Sequence, residues 1–242
     1  MWQVQRNHEY SFESRVRFSE VDHTKKMSLP GIINYFQDCS IFHSESLGLG
    51  VSYLADHRRA WVLSAWQVDV LRYPEIAEEI SVHTWATDFK GMLGGRNFCM
   101  KDGEGKMLAC ANSLWVYMDL EKRCPARPPE EEIRLYGTEE PLDMGQASRK
   151  IALPDRMEEK EPFAVRRYHI DTNEHVNNCQ YVQMAMEMVE RETAAHHLRA
   201  EYKKSAVYGD IIVPKAGTDA GRTVIELCGR DGSPYAVVEF RS

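Results

Sequence analysis

Residues 29–47 read LPGIINYFQDCSIFHSESL, and residues 163–197 read FAVRRYHIDTNEHVNNCQYVQMAMEMVERETAAHH. In the first stretch Leu29, Ile32, Ile33, Phe36, Cys39 and His43 recur at helical spacing, which predicts a helix with one apolar face. Pro30 suits its first turn, and Gly48 and Gly50 suit its end. The second stretch opens with an alternating segment. It continues as a predicted helix carrying Tyr181, Met184, Ala185, Met188, Val189 and Glu192 on one face. Strand-like segments follow each helix. In the first half they are WVLSAWQVDVLRYP (61–74), ISVHTWATD (80–88) and a hairpin turning at Asp102-Gly103-Glu104-Gly105. In the second half they are LRAEYKKSAVYGDIIVP (198–214) and a hairpin turning at Asp231-Gly232. Landmarks pair across the halves: Arg17-Phe18 with Arg167-Tyr168, Asp22 with Asp171, Leu71–Pro74 with Lys203–Ala206, and Lys101–Gly103 with Arg230–Gly232. The order predicts an α+β chain built from two copies of one helix-plus-antiparallel-sheet unit.

Composition narrows the function classes. The chain has 242 residues, 43% hydrophobic and 28% charged, as soluble globular proteins do. Its net charge is −7, from 30 basic and 37 acidic side chains, which argues against a general affinity for nucleic acid. No apolar run approaches the roughly 20 residues needed to span a bilayer. The N-terminal MWQVQRNHEYSFESRVRF lacks the apolar core of a signal peptide. Six cysteines stand singly, without a CxxC pair, so reduced thiols in a cytoplasmic protein are expected. From Leu120 to about Glu161 the chain is rich in proline and acid, which predicts a connecting segment with a short helix.

The run from Tyr168 to Tyr181 contains Asp171-Thr172-Asn173-Glu174-His175-Val176-Asn177-Asn178-Cys179-Gln180-Tyr181. This D-x-N-x-H-V-N-N-x-x-Y pattern closely resembles the motif of acyl-[acyl carrier protein] thioesterases. The first half agrees at Trp61-Val62, Tyr73-Pro74, Val82, Thr84-Trp85, Arg96, Asp102, Ser113–Val116, Arg123 and Pro125. The resemblance spans nearly the whole chain. It implies a double hotdog, two antiparallel sheets each wrapped around a long central helix and packed as a pseudo-dimer. The units are then 1–125 and 161–242, joined by 126–160. It also implies hydrolysis of a fatty acyl thioester to free fatty acid and carrier thiol, with acyl carrier protein as partner and no cofactor. An acyl-coenzyme A thioesterase of the same fold and a low-activity acyl-binding protein are the alternatives. A monomer and a homodimer both fit the tandem chain.

Thioester hydrolysis needs a water, a base for its proton and donors for the developing oxyanion. The leaving thiol, with a pKa near 8.5, departs without a strong acid. Asp171, Asn173 and His175 supply a carboxylate, an amide and an imidazole. Spacing of two in an extended or turning segment would turn them to one side, just ahead of a helix whose first N–H groups are free. The alternative is that Asp171 and Asn173 cap that helix and His175 is a satisfied neighbour. Asn177 and Asn178 either position substrate or satisfy buried backbone, while Val176, Tyr181 and Cys179 are expected to pack. The family pattern breaks at Tyr202-Lys203-Lys204-Ser205-Ala206, where Ser205 stands at its glutamate position and Ala206 at the plant cysteine position. The first half keeps Asp22 but has Lys26 near the histidine position and Ser28 near the asparagine position, so it is expected to house the acyl chain. Trp61, Trp66, Trp85 and Trp115 are expected in the core. His196-His197 with Glu192 suggests a metal cluster, but no third ligand is spaced to join them; solvated histidines at a helix end, and no metal, are expected. Arg58-Arg59, Arg166, Arg167, Lys203 and Lys204 are solvated charges; the last four are candidates to dock an acidic carrier.

Overall fold

The computed structural model describes residues 7–145, 148–189 and 195–241. The chain divides into two compact units, residues 1–63 with 70–145 and residues 64–69 with 146–242. In chain order the first unit contains β1 (Tyr10–Arg15), a 3-10 turn (Phe18–Glu20), α1 (Leu29–Ser46), α2 (Val51–Asp56), the ends of β2 (Arg59–Val70), β3 (Glu79–Lys90), β4 (Leu93–Asp102), β5 (Met107–Asp119), β6 (Cys124–Pro125) and α3 (Glu130–Tyr136). The sheet is antiparallel, with β3 between β1 and β4, and β5 beside β4. Helix α1 lies against β1 and β3. It starts where the sequence predicts. The Ser28 hydroxyl accepts from the Gly31 N–H, and Pro30 occupies the first turn, where a missing N–H costs nothing. All six residues of the predicted apolar face are buried. α2 is an addition that the two glycines hid. The short helix expected in the connecting segment is α3.

The second unit continues with β7 (Glu158–Glu159), β8 (Phe163–Ala164), a second 3-10 turn (Arg167–His169), α4 (Asn178–Met186), β9 (His197–Tyr202), β10 (Ile211–Asp219), β11 (Arg222–Cys228) and β12 (Pro234–Arg241). β10 carries β7 and β8 on one side and β11 on the other; β12 and then β9 follow, and residues 65–69 of β2 pair with β9. α4 lies against β11 and β12. Helix-then-strands therefore recurs, as the sequence predicts. Three expectations change. The alternating stretch opening this half is only the two-residue β8, because the 3-10 turn takes up the chain. α4 closes at Met186 rather than running past Glu192, which lies outside the described residues. His197 begins β9 and contacts Asp69 through Nδ1 instead of ending a helix. Trp66 and Trp85 are fully buried; Trp61 and Trp115 are half-buried. All six cysteines are free thiols. No described helix is long and apolar enough to cross a membrane.

Polar groups inside the first unit form one network. Arg96 on β4 donates through Nη1 to His43 Nδ1 on α1 at 3.0 Å and to Thr84 Oγ1 at 3.1 Å. The His43 ring stacks on Tyr10 and meets Tyr136 edge-on. Burial, reinforced by the Arg96 charge, lowers the His43 imidazole from 6.5 to about 3. His43 is therefore neutral when folded, while the unfolded chain takes up a proton below pH 6.5. Its contribution to stability is complete above that pH and is lost as pH falls toward 3. Denaturant melts across this range are expected to show a slope of up to about 1.4 kcal/mol per pH unit from this group. His43→Gln, which keeps an acceptor for Arg96, is expected to remove that part of the slope.

Candidate active site

The motif at 171–175 is a closed loop, not an extended strand. Ile170 and Val176 form an antiparallel bridge, and the Asp171 N–H donates to the His175 carbonyl at 2.8 Å. The Glu174 N–H donates to the Asp171 carbonyl at 3.1 Å, with Glu174 in the left-handed region at φ 62°. The Asp171 side chain holds the turn, its Oδ1 accepting from the Asn173 N–H at 2.8 Å. Asp171 and His175 thus sit across the loop base, with Asn173 at the tip. The alternation expected from spacing of two does not apply, because the chain turns here. Among the described residues, no hydrogen bond joins the three side chains. Asn173 and His175 are exposed and Asp171 is half-buried; among the described residues its Oδ1 takes the Asn173 N–H and its Oδ2 accepts no hydrogen bond.

Helix α4 follows directly. Its cap is Asn177, whose Oδ1 accepts from the Cys179 N–H at 2.9 Å, so Asp171 and Asn173 do not cap it. Cys179, Val176 and Tyr181 are buried, as expected. Burial pushes the Cys179 thiol up to about 12, far from a nucleophilic thiolate. Asn178 begins the helix, and its carbonyl accepts from the Tyr202 hydroxyl at 3.0 Å.

The loop between β9 and β10 meets the motif. The Val176 N–H donates to the Ala206 carbonyl at 2.9 Å, and the Tyr181 hydroxyl accepts from the Ala206 N–H at 2.7 Å. Ser205, exposed, therefore lies one residue from the base of the motif loop. Arg166 and Arg167 enter the motif, and Lys203 and Lys204 leave β9; all four are exposed. Arg167 lies over the Tyr208 ring at 5.3 Å and Lys204 over the Tyr235 ring at 5.5 Å. Lys203 is tied to Glu201 at 2.9 Å. His197 and His196 lie at the start of β9 and just before it, outside this constellation, and the described residues contain no cluster of three metal-binding side chains.

Two residues here escaped the sequence reading. His169 is buried and accepts from the Arg166 N–H through Nδ1 at 3.0 Å, which fixes the neutral ring with its proton on Nε2. Burial, with the Arg166 charge, lowers its pKa. The signal was its place three residues after Arg166, opposite Glu20 in the first unit, which likewise accepts from the Arg17 N–H at 2.8 Å. Tyr181 is more than packing, since its hydroxyl clamps Ala206.

The first unit repeats the loop bond for bond. Val21 bridges Met27, and Asp22 N–H donates to Lys26 O at 2.9 Å. Lys25 is left-handed at φ 65°, Asp22 Oδ1 accepts from the Thr24 N–H at 2.7 Å, and Ser28 caps the helix. The true register pairs Arg17 with Arg166, one residue from the pairing expected. Lys26 occupies the position of His175, and Thr24 that of Asn173. Burial favours protonation of Asp22, but hydrogen bonds from Thr24 and Lys26 outweigh it and hold the carboxyl below the usual range.

Two tandem units of this kind define a hotdog-fold protein of the thioesterase type. The structure superposes on an acyl-ACP thioesterase from Bacteroides thetaiotaomicron with a TM-score of 0.88 at 21% identity, covering 97% of this chain and 98% of that one. It matches a 12:0-ACP thioesterase from Umbellularia californica with a TM-score of 0.85 at 20% identity, covering 98% and 97%. The sequence family of the acyl-ACP thioesterase N-terminal domain matches residues 7–136, and that of the C-terminal domain matches residues 153–225. The chain belongs to the acyl-ACP thioesterase family and is thus a thioester hydrolase. Among relatives, the chloroplastic oleoyl-acyl carrier protein thioesterase of Coriandrum sativum is 24% identical across 93% of this chain and 68% of that protein. A second, from Arabidopsis thaliana, is 23% identical across 90% of this chain and 65% of that protein. The chain spans about two thirds of the length of these plant relatives.

If Asn177 acts as a cap, Asn177→Ala is expected to lower stability by about 1 kcal/mol, and Asn177→Ser or Asn177→Asp to restore most of it. Thermal melts of the three variants check this. A loss of activity without a loss of stability in Asn177→Ala would assign the residue to substrate instead.

Proposed function

We propose that the chain hydrolyses fatty acyl-[acyl carrier protein] thioesters and that the loop 171–175 is its working site. The observation that carries this reading is the contrast between two loops of the same backbone, of which the second alone places an imidazole, His175, at the fifth position across the loop base from its aspartate, where the first has Lys26. In this reading Asp171 accepts the proton of the attacking water through Oδ2, or attacks directly. Water oxygen bonds to the carbonyl carbon, the carbon–sulfur bond breaks, and the thiol departs with a proton returned by the acid–base pair. His175 polarises or orients, and Asn173 holds the thioester oxygen or the water. Asn178, at the head of α4, supports the oxyanion through its N–H. Ser205 holds a water by hydrogen bonding but is a poor base, so Asp171 carries the proton. The first unit, whose loop has Lys26 at the position of His175, houses the acyl chain. Arg166, Arg167 and Lys204 border the same loop and dock the acidic carrier; Lys203, neutralised by Glu201, contributes less. Six free thiols support a cytoplasmic setting.

Asp171→Asn isolates charge from shape, because an asparagine oxygen can still accept from the Asn173 N–H and keep the turn. It is expected to lower kcat by about 10²–10⁴-fold on an acyl carrier substrate with an unchanged melting temperature. Ser205→Ala is expected to cost clearly less, and Ser205→Glu to be tolerated or to raise the rate. Equal losses in Ser205→Ala and Asp171→Asn would move the primary role to Ser205.

Charge docking acts on association and is screened by salt. The value of kcat/KM for carrier-bound substrate is therefore expected to fall between about 0.1 M and about 1 M salt, where the screening length shrinks from about 10 to about 3 Å. Arg166→Gln with Arg167→Gln is expected to flatten that response.

A further inference from the structure

Two cysteines of the first unit stand directly opposite each other in the sheet. Cys99 on β4 is the register partner of Cys110 on β5, and the two thiols are not joined in a disulfide. Along an antiparallel ladder, hydrogen-bonded and non-bonded residue pairs alternate. The Tyr117 N–H donates to the Met92 carbonyl at 2.8 Å, so that pair is a bonded one. From Leu93 opposite Val116 to Met100 opposite Ala109 the register runs without a shift. Counting on by twos from Met92, the bonded residues of β4 are Gly94, Arg96, Phe98 and Met100, so Cys99 and Cys110 form a non-bonded pair. At such a pair the Cα atoms lie about 4.5 Å apart and the side chains come closest. A disulfide accepts Cα spacings from about 4.4 Å to about 6.8 Å, so one can close here without moving the backbone.

The pair is also unequal. Residues directly opposite in a sheet share a face, and their chain neighbours take the other one. The neighbours Phe98, Met100, Ala109 and Ala111 are fully buried, and Phe98 packs on Phe36 of α1 at 5.4 Å. Cys99 and Cys110 therefore face away from α1. On that face Cys110 is half-buried, whereas Cys99 is 2% exposed. His83 of β3 flanks Cys99 on its other side, but its Nδ1 meets Glu9 Oε1 at 2.6 Å and its Nε2 meets Ser81 Oγ at 3.0 Å, which leaves neither ring nitrogen to act on the thiol. Solvent reaches one sulfur, and the second waits behind it. The other thiols lack this arrangement. Burial pushes Cys39 up, Cys179 up to about 12 and Cys228 up to about 11, and exposed Cys124 lies opposite Asp119.

We propose that Cys110 and Cys99 are a thiol modification site, at which a low-molecular-weight disulfide such as oxidised glutathione closes a reversible bond between β4 and β5. The Cys110 thiolate attacks one sulfur of the incoming disulfide. That sulfur–sulfur bond breaks, Cys110 holds a mixed disulfide, and one glutathione thiol leaves. Cys99, having given up its proton, then attacks the Cys110 sulfur, and the second glutathione leaves as a thiol. The two cysteines are oxidised by two electrons, and one glutathione disulfide is reduced to two thiols. In a reducing compartment the pair stays open and closes only under oxidation. The site belongs to the first unit and is independent of the loop at 171–175.

The test is peptide mapping of the full chain after incubation with oxidised glutathione, with remaining thiols then alkylated. Trypsin cuts after Arg96, Lys101, Lys106 and Lys122, so the two cysteines fall in separate peptides, 97–101 and 107–122. In wild type these two peptides are expected to be linked, and a thiol reductant to release them. With reduced glutathione held below about 0.1 mM, the linked form is expected to exceed the mixed disulfide at Cys110 by at least about tenfold, because the neighbouring thiol acts at an effective concentration of about 1 mM or more. Cys124 is expected to stop at the mixed disulfide. Cys99→Ser is expected to accumulate glutathione on Cys110, and Cys110→Ser to leave Cys99 reduced. The wild-type map needs neither variant, so it decides the question even if both fail to fold. Absence of the linked peptides, a mixed disulfide at Cys110 that persists in wild type as in Cys99→Ser, linkage of either cysteine to Cys124 instead, or ready modification of Cys99 in Cys110→Ser would each overturn the proposal.

Discussion

One backbone hydrogen bond sets up the arrangement around each loop. In the second unit the Val176 N–H donates to the Ala206 carbonyl; in the first, the Met27 N–H donates to the Pro74 carbonyl at 2.8 Å. In both, the donor is the residue just before the helix cap, and the acceptor lies in the loop after the first strand that follows the unit's helix. The bond therefore joins the start of a helix to the end of a strand. It fixes where the five-residue loop can stand. Without it, Asn177 would cap a helix whose loop was unanchored, and Ser205 would have no defined relation to Asp171. The Tyr181 hydroxyl reinforces it from the other side by taking the Ala206 N–H, so both backbone groups of Ala206 are held. A buried polar pair of this kind is costly to break, because either partner left alone loses its hydration without compensation.

The sequence carried the fold in its periodicities. The α1 face from Leu29 to His43 was legible because an 18-residue helix repeats its pattern over five turns. The hairpins at Asp102 and Asp231 were legible because aspartate and glycine announce a tight turn. α4 was over-extended, since Met188 and Val189 keep the helical spacing after the helix has closed; spacing cannot tell a helix from a turn that follows it. The placement of His197 was missed for a related reason. A histidine at the seam between helix and strand has no period of its own, and its contact with Asp69 links positions 128 residues apart.

The candidate site was legible in its residues and not in its shape. The motif named Asp171, Asn173 and His175, but the argument from alternation assumed extended backbone. Glu174 shows why that fails. A left-handed residue reverses the chain, and its identity gives no warning, since glutamate is not a residue that favours positive φ. Lys25 takes the same conformation at the same place in the first unit. The strain is thus imposed by the closed loop rather than chosen by the side chain. The role of Asn177 was open at the level of sequence because asparagine serves equally as cap and as substrate ligand; only the accepted Cys179 N–H separates the two.

The duplicated loop also explains how one unit can lose chemistry without losing its fold. The backbone bonds that close the loop require an oxygen acceptor at Asp22 or Asp171 and tolerate any side chain at the fifth position, because that residue contributes only its carbonyl. Lys26 and His175 therefore satisfy the fold equally. They differ in what they add. An ammonium offers donors and no lone pair, while a neutral imidazole offers one of each and can pass a proton. The aspartate is thus retained in both loops by the turn, whichever loop reacts, and its presence alone says little about activity. The fifth position, free of structural duty, is where the two units can diverge, and it is there that the second unit holds the group suited to proton transfer.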